Sequence, residues 1–289
     1  MTAQTRAHYA LLGAPVNHSL SPRLHNAWFD ALGIDATYLS VHYEGTGETL
    51  AANLVALGLS GCNLTTPLKE RILPYLASCG PDATRSGAVN TVCVRAGELH
   101  GYNTDLRGFK DSLGEHQARL RGQTVLIAGA GGAARAVAVA CADLGVEEVI
   151  FANRTPERAH ILAHQLSDLL PHVRWSTGSL APGTTPQSEV FLFVDATRAS
   201  RPPETLQKMI QKTTTPCICF DLNYWRDASV WSALRAHKGL TFFDGRDMLL
   251  QQAVHAFRHF TCKTPDISIG RAVLADAIQP TTTAGKTHG

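Results

Sequence analysis

The stretch 124–135 reads Thr-Val-Leu-Ile-Ala-Gly-Ala-Gly-Gly-Ala-Ala-Arg and constrains this chain more than any other. Five residues of strand character run into Gly129-Ala130-Gly131-Gly132-Ala133-Ala134, and a helical apolar run follows to Leu144. Each small residue answers a close approach. Gly129 permits the tight turn from strand to helix, Gly131 leaves room for a pyrophosphate against the backbone, and Ala134 lets helix and strand pack closely. The helix then opens with free N–H groups and a positive dipole end. A glycine-rich turn alone is a weak signal. Here a strand precedes it, a helix follows, and a second strand is expected at Glu148–Ala152, the context of a dinucleotide-binding unit.

What ends that second strand decides which dinucleotide. An NAD-binding unit usually carries Asp or Glu there for the ribose hydroxyls. This chain has Asn153-Arg154-Thr155, then Arg158 one helical turn later. No carboxylate occupies the position, and two guanidiniums clamp a 2′-phosphate well. NADP is therefore expected, with NAD possible; the cofactor residues are Gly129, Ala130, Gly131, Gly132, Ala133, Asn153, Arg154, Thr155 and Arg158. Arg158 alone could equally be a solvated helix residue. Arg154 sits at the strand's carboxyl end, where the adenosine ribose would lie.

At 289 residues the chain forms one large domain or two medium ones. A formal charge of +2 without a Lys/Arg cluster argues against nucleic acid or an anionic membrane as partner. No apolar run reaches the length of a membrane span, and the polar start at 1–7 does not read as a signal peptide. Seven cysteines without a Cys-x-x-Cys pair fit reduced cytoplasmic thiols better than a disulfide framework. Cys217 and Cys219, two apart in an apolar run, read as small hydrophobes on one strand face. His160/His164 and His255/His259 have the helical spacing of metal ligands but lack a third ligand, so no metal is expected.

Along the chain, 9–12 reads as a strand and 13–20 as a loop. Ser21-Pro22 then starts a helix, with Ser21 as N-cap, Pro22 at its first position, and Leu24, Trp28 and Ala31/Leu32 on its apolar stripe; Gly33 stops it. A strand at 37–41, a helix at 48–57, a strand at Gly61–Leu64 and a helix opening at Thr65-Thr66-Pro67 and running to about Tyr75 follow. Strands at 89–95 and Glu98–Tyr102 flank a Gly97 turn as a hairpin. After a short connecting helix come strands near 124–128, 148–152, 172–176, 190–194 and 217–221, with 177–188 a loop. A long helix at 248–260 carries Leu250, Ala253, Val254, Phe257 and Phe260 on one face and returns to the first domain; 280–289 is polar and reads as frayed. The fold class is α/β: an N-terminal domain with a mixed sheet (1–105 plus 251–289), a Rossmann-like dinucleotide-binding domain (106–250), and a cleft between them that favours a small molecule.

Three first-domain loops are richer in polar groups than connection requires: Asn17-His18-Ser19-Leu20-Ser21, Asn63-Leu64-Thr65-Thr66-Pro67-Leu68-Lys69, and Asn90-Thr91 with Asn103-Thr104-Asp105. Ser21 and Thr104 could merely cap helices. Lys69 is disfavoured by the helix dipole in a first turn, which asks for another reason for its presence.

These motifs, with Gly-Ala-Pro-Val-Asn-His-Ser-Leu-Ser-Pro (13–22), Gly-Ala-Val-Asn-Thr-Val (87–92), Gly-Tyr-Asn-Thr-Asp (101–105) and Met-Leu-Leu-Gln-Gln-Ala (248–253), resemble the shikimate dehydrogenase family from about Gly13 to Phe260. The resemblance implies NADP-linked interconversion of 3-dehydroshikimate and shikimate in aromatic amino-acid biosynthesis. By position it makes Lys69 and Asp105 the catalytic pair, and sets Ser19, Ser21, Thr65, Asn90, Tyr224 and Gln252 around the substrate. Three departures stand out: Asp195-Ala-Thr-Arg-Ala-Ser200 where the family usually has Asn-Ala-Thr-Ser-x-Gly, Asp247 in place of a Gly, and Asn223-Tyr-Trp-Arg without the usual apolar residue and Pro. All three are expected near the nicotinamide end, with Arg198 as a partner for Asp247. Alternatives are a quinate or quinate/shikimate dehydrogenase, an enzyme for an amino analogue, or a non-catalytic nucleotide or ligand sensor. A monomer or a homodimer is expected.

Overall fold

The structure, a computed structural model, describes residues 6–277 except 185, 187, 214, 226–230 and 236–238. The expectation for 280–289 lies outside the described residues. In chain order the first half comprises β1 (Ala7–Gly13), α1 (Ser21–Ala31), β2 (Ala36–His42), α2 (Gly47–Ala56), β3 (Gly61–Leu64), α3 (Leu68–Arg71), β4 (Ser78–Cys79), α4 (Pro81–Ser86), β5 (Thr91–Arg95) and β6 (Glu98–Tyr102). Then come α5 (Asp105–Leu113), β7 (Thr124–Ala128), α6 (Gly132–Asp143), β8 (Glu148–Ala152), α7 (Pro156–Leu169), β9 (Arg174–Gly178), β10 (Leu192–Asp195), α8 (Glu204–Lys212), β11 (Cys217–Asp221), α9 (Ser232–Arg235), β12 (Leu240–Asp244), α10 (Gly245–Thr261) and α11 (Ile267–Asp276).

Two six-stranded sheets result. The first runs β2-β1-β3-β5-β6-β4 and is mixed: β1 pairs parallel with β2 and β3, while β5 pairs antiparallel with β3 and β6. The second runs β12-β11-β10-β7-β8-β9, with every described pairing parallel, the doubly wound order of a dinucleotide-binding fold. Its inner strands are buried on both faces, which is why β7, β8 and β11 read as continuous apolar runs rather than alternating ones.

Several elements depart from the sequence reading, each for a local reason. α1 begins at Ser21 itself, with Leu20 at the cap and no side-chain capping bond. The Ser19 hydroxyl accepts the Ser21 N–H at 3.2 Å and donates to the Ser21 hydroxyl at 3.3 Å, which turns both serines toward the cleft. The buried stripe of α1 takes in Leu24, His25, Trp28 and Phe29, leaving Ala31 exposed. The helix expected from 65 to 75 shrinks to α3 plus a 3-10 turn at Leu73–Tyr75. Pro74 has no N–H to continue the helical ladder. β4, α4, β12 and α11 have no counterpart in the sequence reading. α4 nevertheless carries its signals, Pro81 in the first turn and Gly87 in the left-handed region at φ 58°.

α10 links the two cores. Met248 belongs to the core of the second sheet, whereas Leu249, Leu250, Ala253, Val254 and Phe257 join Trp28, Phe29 and Tyr38 in that of the first. α10 crosses α5 at Gly108, where a Cβ would lie 2.6–2.9 Å from the backbone and Cβ of Gln252, so only glycine permits this approach. His25 lies within the aromatic nest, its ring stacked 4.4 Å from that of Tyr38, and burial pushes its imidazole down to about 3. It stays neutral at physiological pH.

Asp143, at the end of α6, ties the halves together by accepting from Arg85 of α4 and, at 3.0 Å, from Lys110 of α5. Burial pushes its carboxyl up, but bonds from the two cations outweigh this and hold it below its ordinary value. A depressed carboxyl stabilises the folded state above its unfolded pKa, and this contribution is lost as pH falls through the folded value. Asp143→Asn should therefore destabilise the protein at pH 7 by about 1 kcal/mol. The difference from the parent should shrink as pH falls below the ordinary carboxylate range. Urea midpoints at neutral and acid pH check this; an equal difference at both would refute the linkage.

Candidate functional site

The carboxyl ends of both sheets open onto one cleft of about 1250 Å³. On one wall stand Ser19 and Ser21 from the β1–α1 loop and α1, Asn63 from β3, Thr65 and Lys69 after β3, Asn90 before β5, and Asp105 at the start of α5. Gln252 projects from α10 into the same space. Facing them are Gly129, Ala130, Gly131, Gly132 and Ala133, then Asn153, Arg154 and Arg158. Every site residue singled out from the sequence lines this cleft except Thr155. That residue sits at the cap of α7, where its carbonyl accepts from Asn153 Nδ2 at 2.9 Å.

Lys69 and Asp105, 36 positions apart, meet at 2.5 Å between Nζ and Oδ2, with side-chain exposures of 14% and 9%. The lysine's carbonyl is pinned by the Val89 N–H at 2.8 Å. Its stem runs against the start of α6: a Cβ on Gly132 would come 3.3 Å from Lys69 Cδ. The ammonium is thus delivered beside the glycine-rich turn. Asp105 is held from the other side. Asn90 Nδ2 donates to its Oδ1 at 2.7 Å, and its own N–H donates to Asn103 Oδ1 at 3.0 Å.

Asn90 is the centre of a buried network. Its Oδ1 accepts from the Thr104 N–H at 2.8 Å and from the Thr91 hydroxyl at 3.0 Å. The Thr104 hydroxyl therefore turns to Asn90 rather than capping α5. Asn63 donates to the Asn90 carbonyl at 3.0 Å and to Thr91 at 2.9 Å while accepting from the Tyr38 hydroxyl at 2.7 Å. Its signal in the sequence is an amide inside an otherwise apolar strand. The satisfied network fixes Asp105 against the lysine, as buried polar groups require.

The opposite wall fits a dinucleotide phosphate. Gly129 has φ 116°, and a Cβ there would lie 3.0 Å from the Ala196 carbonyl, so the turn admits only glycine. At Gly131 a Cβ would meet nothing within 4 Å: the missing side chain leaves free space at the mouth of α6, where a phosphate would approach. Arg154, Arg158 and Arg201 line the cleft without an ion pair among the described residues, whereas Lys208 is taken by Glu204 at 2.6 Å. Arg201 escapes the sequence reading because it lies 47 positions after Arg154, in a loop.

The expected Asp247–Arg198 pair does not form. Asp247 does not line the cleft and pairs with Arg271 at 3.4 Å, whereas Arg198 donates to the Ala14 carbonyl at 3.2 Å. Asp195 is fully buried and does not line the cleft, accepting from the Thr197 N–H at 2.9 Å and hydroxyl at 2.7 Å. Asn223 folds back onto Asp221 at 2.8 Å. Tyr224 lines the cleft with its hydroxyl pushed up by burial, an effect that hydrogen bonds with Ser19 and the Leu20 backbone oppose. Of the histidine pairs, His255 contacts Asp111 at 2.7 Å and His259 stacks on Tyr102 with centroids 3.9 Å apart. Cys217 and Cys219 are both buried in one core, and all seven cysteines are free. No described helix is long and apolar enough to cross a membrane.

Known proteins share this fold. Residues 11–92 match the shikimate dehydrogenase substrate binding domain and residues 112–230 the shikimate / quinate 5-dehydrogenase domain. The shikimate dehydrogenase (NADP(+)) of Moorella thermoacetica is 37% identical over 93% of this chain and 92% of its own length. The Thermus thermophilus shikimate 5-dehydrogenase, solved with NADP(H) and shikimate, superposes with a TM-score of 0.74 at 34% identity, covering 94% of this chain and 100% of that one. The quinate dehydrogenase of Corynebacterium glutamicum, solved with NAD, gives 0.80 at 29% identity over 93% and 99%. With both family domains matched in order across the two sheets and the cleft they share, the chain belongs to the shikimate dehydrogenase family.

Proposed function

We propose that this protein is an NADP-dependent shikimate dehydrogenase, interconverting 3-dehydroshikimate and shikimate, with Lys69 and Asp105 as the reacting pair. The 2.5 Å ammonium–carboxylate contact, set in the same cleft as the glycine-rich turn, carries this reading. The coenzyme, when bound against Gly129–Ala133 with its 2′-phosphate toward Arg154 and Arg158, supplies the hydride chemistry. The chain's own residues handle the proton. In reduction, Lys69 Nζ donates a hydrogen bond and then a proton to the substrate's carbonyl oxygen, stabilising the charge that develops there. In oxidation, the hydroxyl proton returns to the Lys69–Asp105 pair, which acts as a unit. Asp105 orients the ammonium and is itself held by Asn90.

Ser19, Ser21 and Tyr224 take the substrate's carboxylate, while Thr65, Asn90 and Gln252 take its hydroxyls. Residues 1–105 with 251–289 form the substrate domain and 106–250 the nucleotide domain. Leu106 and Phe109, packed in the second core, support the first limit, while the core assignment changes between Met248 and Leu249, two residues before the second limit. Seven free thiols fit a cytoplasmic enzyme, as monomer or homodimer.

Steady-state rates with shikimate and quinate, each with NADP and NAD, test the proposal. Shikimate with NADP should give the highest kcat/KM. A preference for quinate or for NAD would overturn the substrate or the coenzyme part.

A further inference from the structure

The loop from Ala14 to Leu20 carries Ser19 and leads into Ser21, and its own half holds it at few points. Ala14 N–H donates to the Thr66 carbonyl at 3.1 Å, Ser19 N–H to the Val16 carbonyl at 3.1 Å, and Val16 is buried. Asn17 and His18 are exposed. Three side chains reach this loop from the opposite wall. Arg198, three residues past the end of β10, donates from Nη2 to the Ala14 carbonyl at 3.2 Å. Trp225, past β11, sets its ring over His18 with centroids 5.7 Å apart. Tyr224 lines the cleft between them and packs against the same core as Leu20.

We propose that Arg198 and Trp225 are positioning residues for the substrate: from the nucleotide half, they hold the Ala14–Leu20 loop so that Ser19 and Ser21 face the cleft. Arg198 has no carboxylate partner among the described residues, and its recorded bond is to a neutral carbonyl across the cleft. Trp225 is a large apolar ring left 39% exposed at the cleft, where burial alone gives no reason for it. Both stand where this chain departs from the family pattern. Arg198 stands where the family usually has Ser, Trp225 lies in the altered Asn223-Tyr-Trp-Arg stretch, and the two side chains meet the same loop.

Ala196 and Thr197, next to Arg198, lie against Gly129, so the segment that grips the substrate loop also borders the phosphate turn.

The inference rests on the proposed role of Ser19 and Ser21, and the test separates the two. Hydrogen exchange of the 13–22 segment and steady-state kinetics are measured for Arg198→Ala, Arg198→Lys, Trp225→Ala and Ser19→Ala. Arg198→Ala and Trp225→Ala should speed exchange in 13–22 and raise the shikimate KM by about three- to thirtyfold. The change in kcat should be smaller and NADP affinity should hold, with Arg198→Lys restoring part of the loss. Unchanged exchange in both variants would overturn the proposal whatever the kinetics. So would a loss confined to NADP affinity, which would make Arg198 a coenzyme ligand. An unaltered shikimate KM in Ser19→Ala would instead refute the Ser19 reading, leaving exchange to judge the clasp.

Discussion

Lys69→Ala should lower kcat by about 10²–10⁴ with a smaller change in KM. The size of the effect follows from the lack of a substitute. Of the other cations in the cleft, the arginines cannot give up a proton at any working pH. Lys208 lies on α8, bound to Glu204. His18, the remaining group of suitable chemistry, is turned onto Trp225. Lys69→Arg should fail to rescue for the same reason, although it keeps the charge. Steady-state kinetics with NADP affinity as a control checks this. A change confined to KM would reduce Lys69 to a binding residue.

Arg154→Asp should lower kcat/KM with NADP by about 10- to 100-fold, the loss of one charge-assisted hydrogen bond, and leave the NAD rate level or improved. The new carboxylate would stand at the end of β8, where it can accept from ribose hydroxyls but repels a phosphate. Coupling with Arg158→Ala should be non-additive if both guanidiniums grip one phosphate. An unaltered NADP:NAD ratio would remove the 2′-phosphate from this end of the cleft.

The parts of the site that are legible in the sequence are those whose requirement is local. Gly129 announces itself because its positive φ excludes side chains whatever surrounds it, and Gly131 because a phosphate must reach open backbone there. Arg154 is readable because strand ends in this fold have fixed neighbours. The approach of Lys69 to Asp105 is not local at all. It depends on β3, β5 and α5 converging through Asn90, and only the family resemblance points to it. Where a polar residue has two possible partners, the sequence suggests the nearer one. Thr104 looks like a helix cap, yet its hydroxyl turns to a tertiary partner, Asn90, while the Ser21 hydroxyl meets Ser19 instead of capping α1. Asp247 and Arg198 have complementary charges but opposite directions, one toward α11 and one across the cleft, and charge alone carries no direction.

The crossing of α5 and α10 at Gly108 also governs how the polypeptide matures. The first sheet is finished early in synthesis, but Leu250, Val254 and Phe257, which seal Trp28 and Phe29, arrive only after every strand of the second sheet has been made. Until then the amino-terminal portion emerges with an uncovered aromatic face, a target for chaperones or for premature association. No contiguous fragment ending near residue 104 can be excised as an autonomous module. A rearranged chain in which α10 and α11 precede β1 would bring the seal forward and should shorten that vulnerable interval.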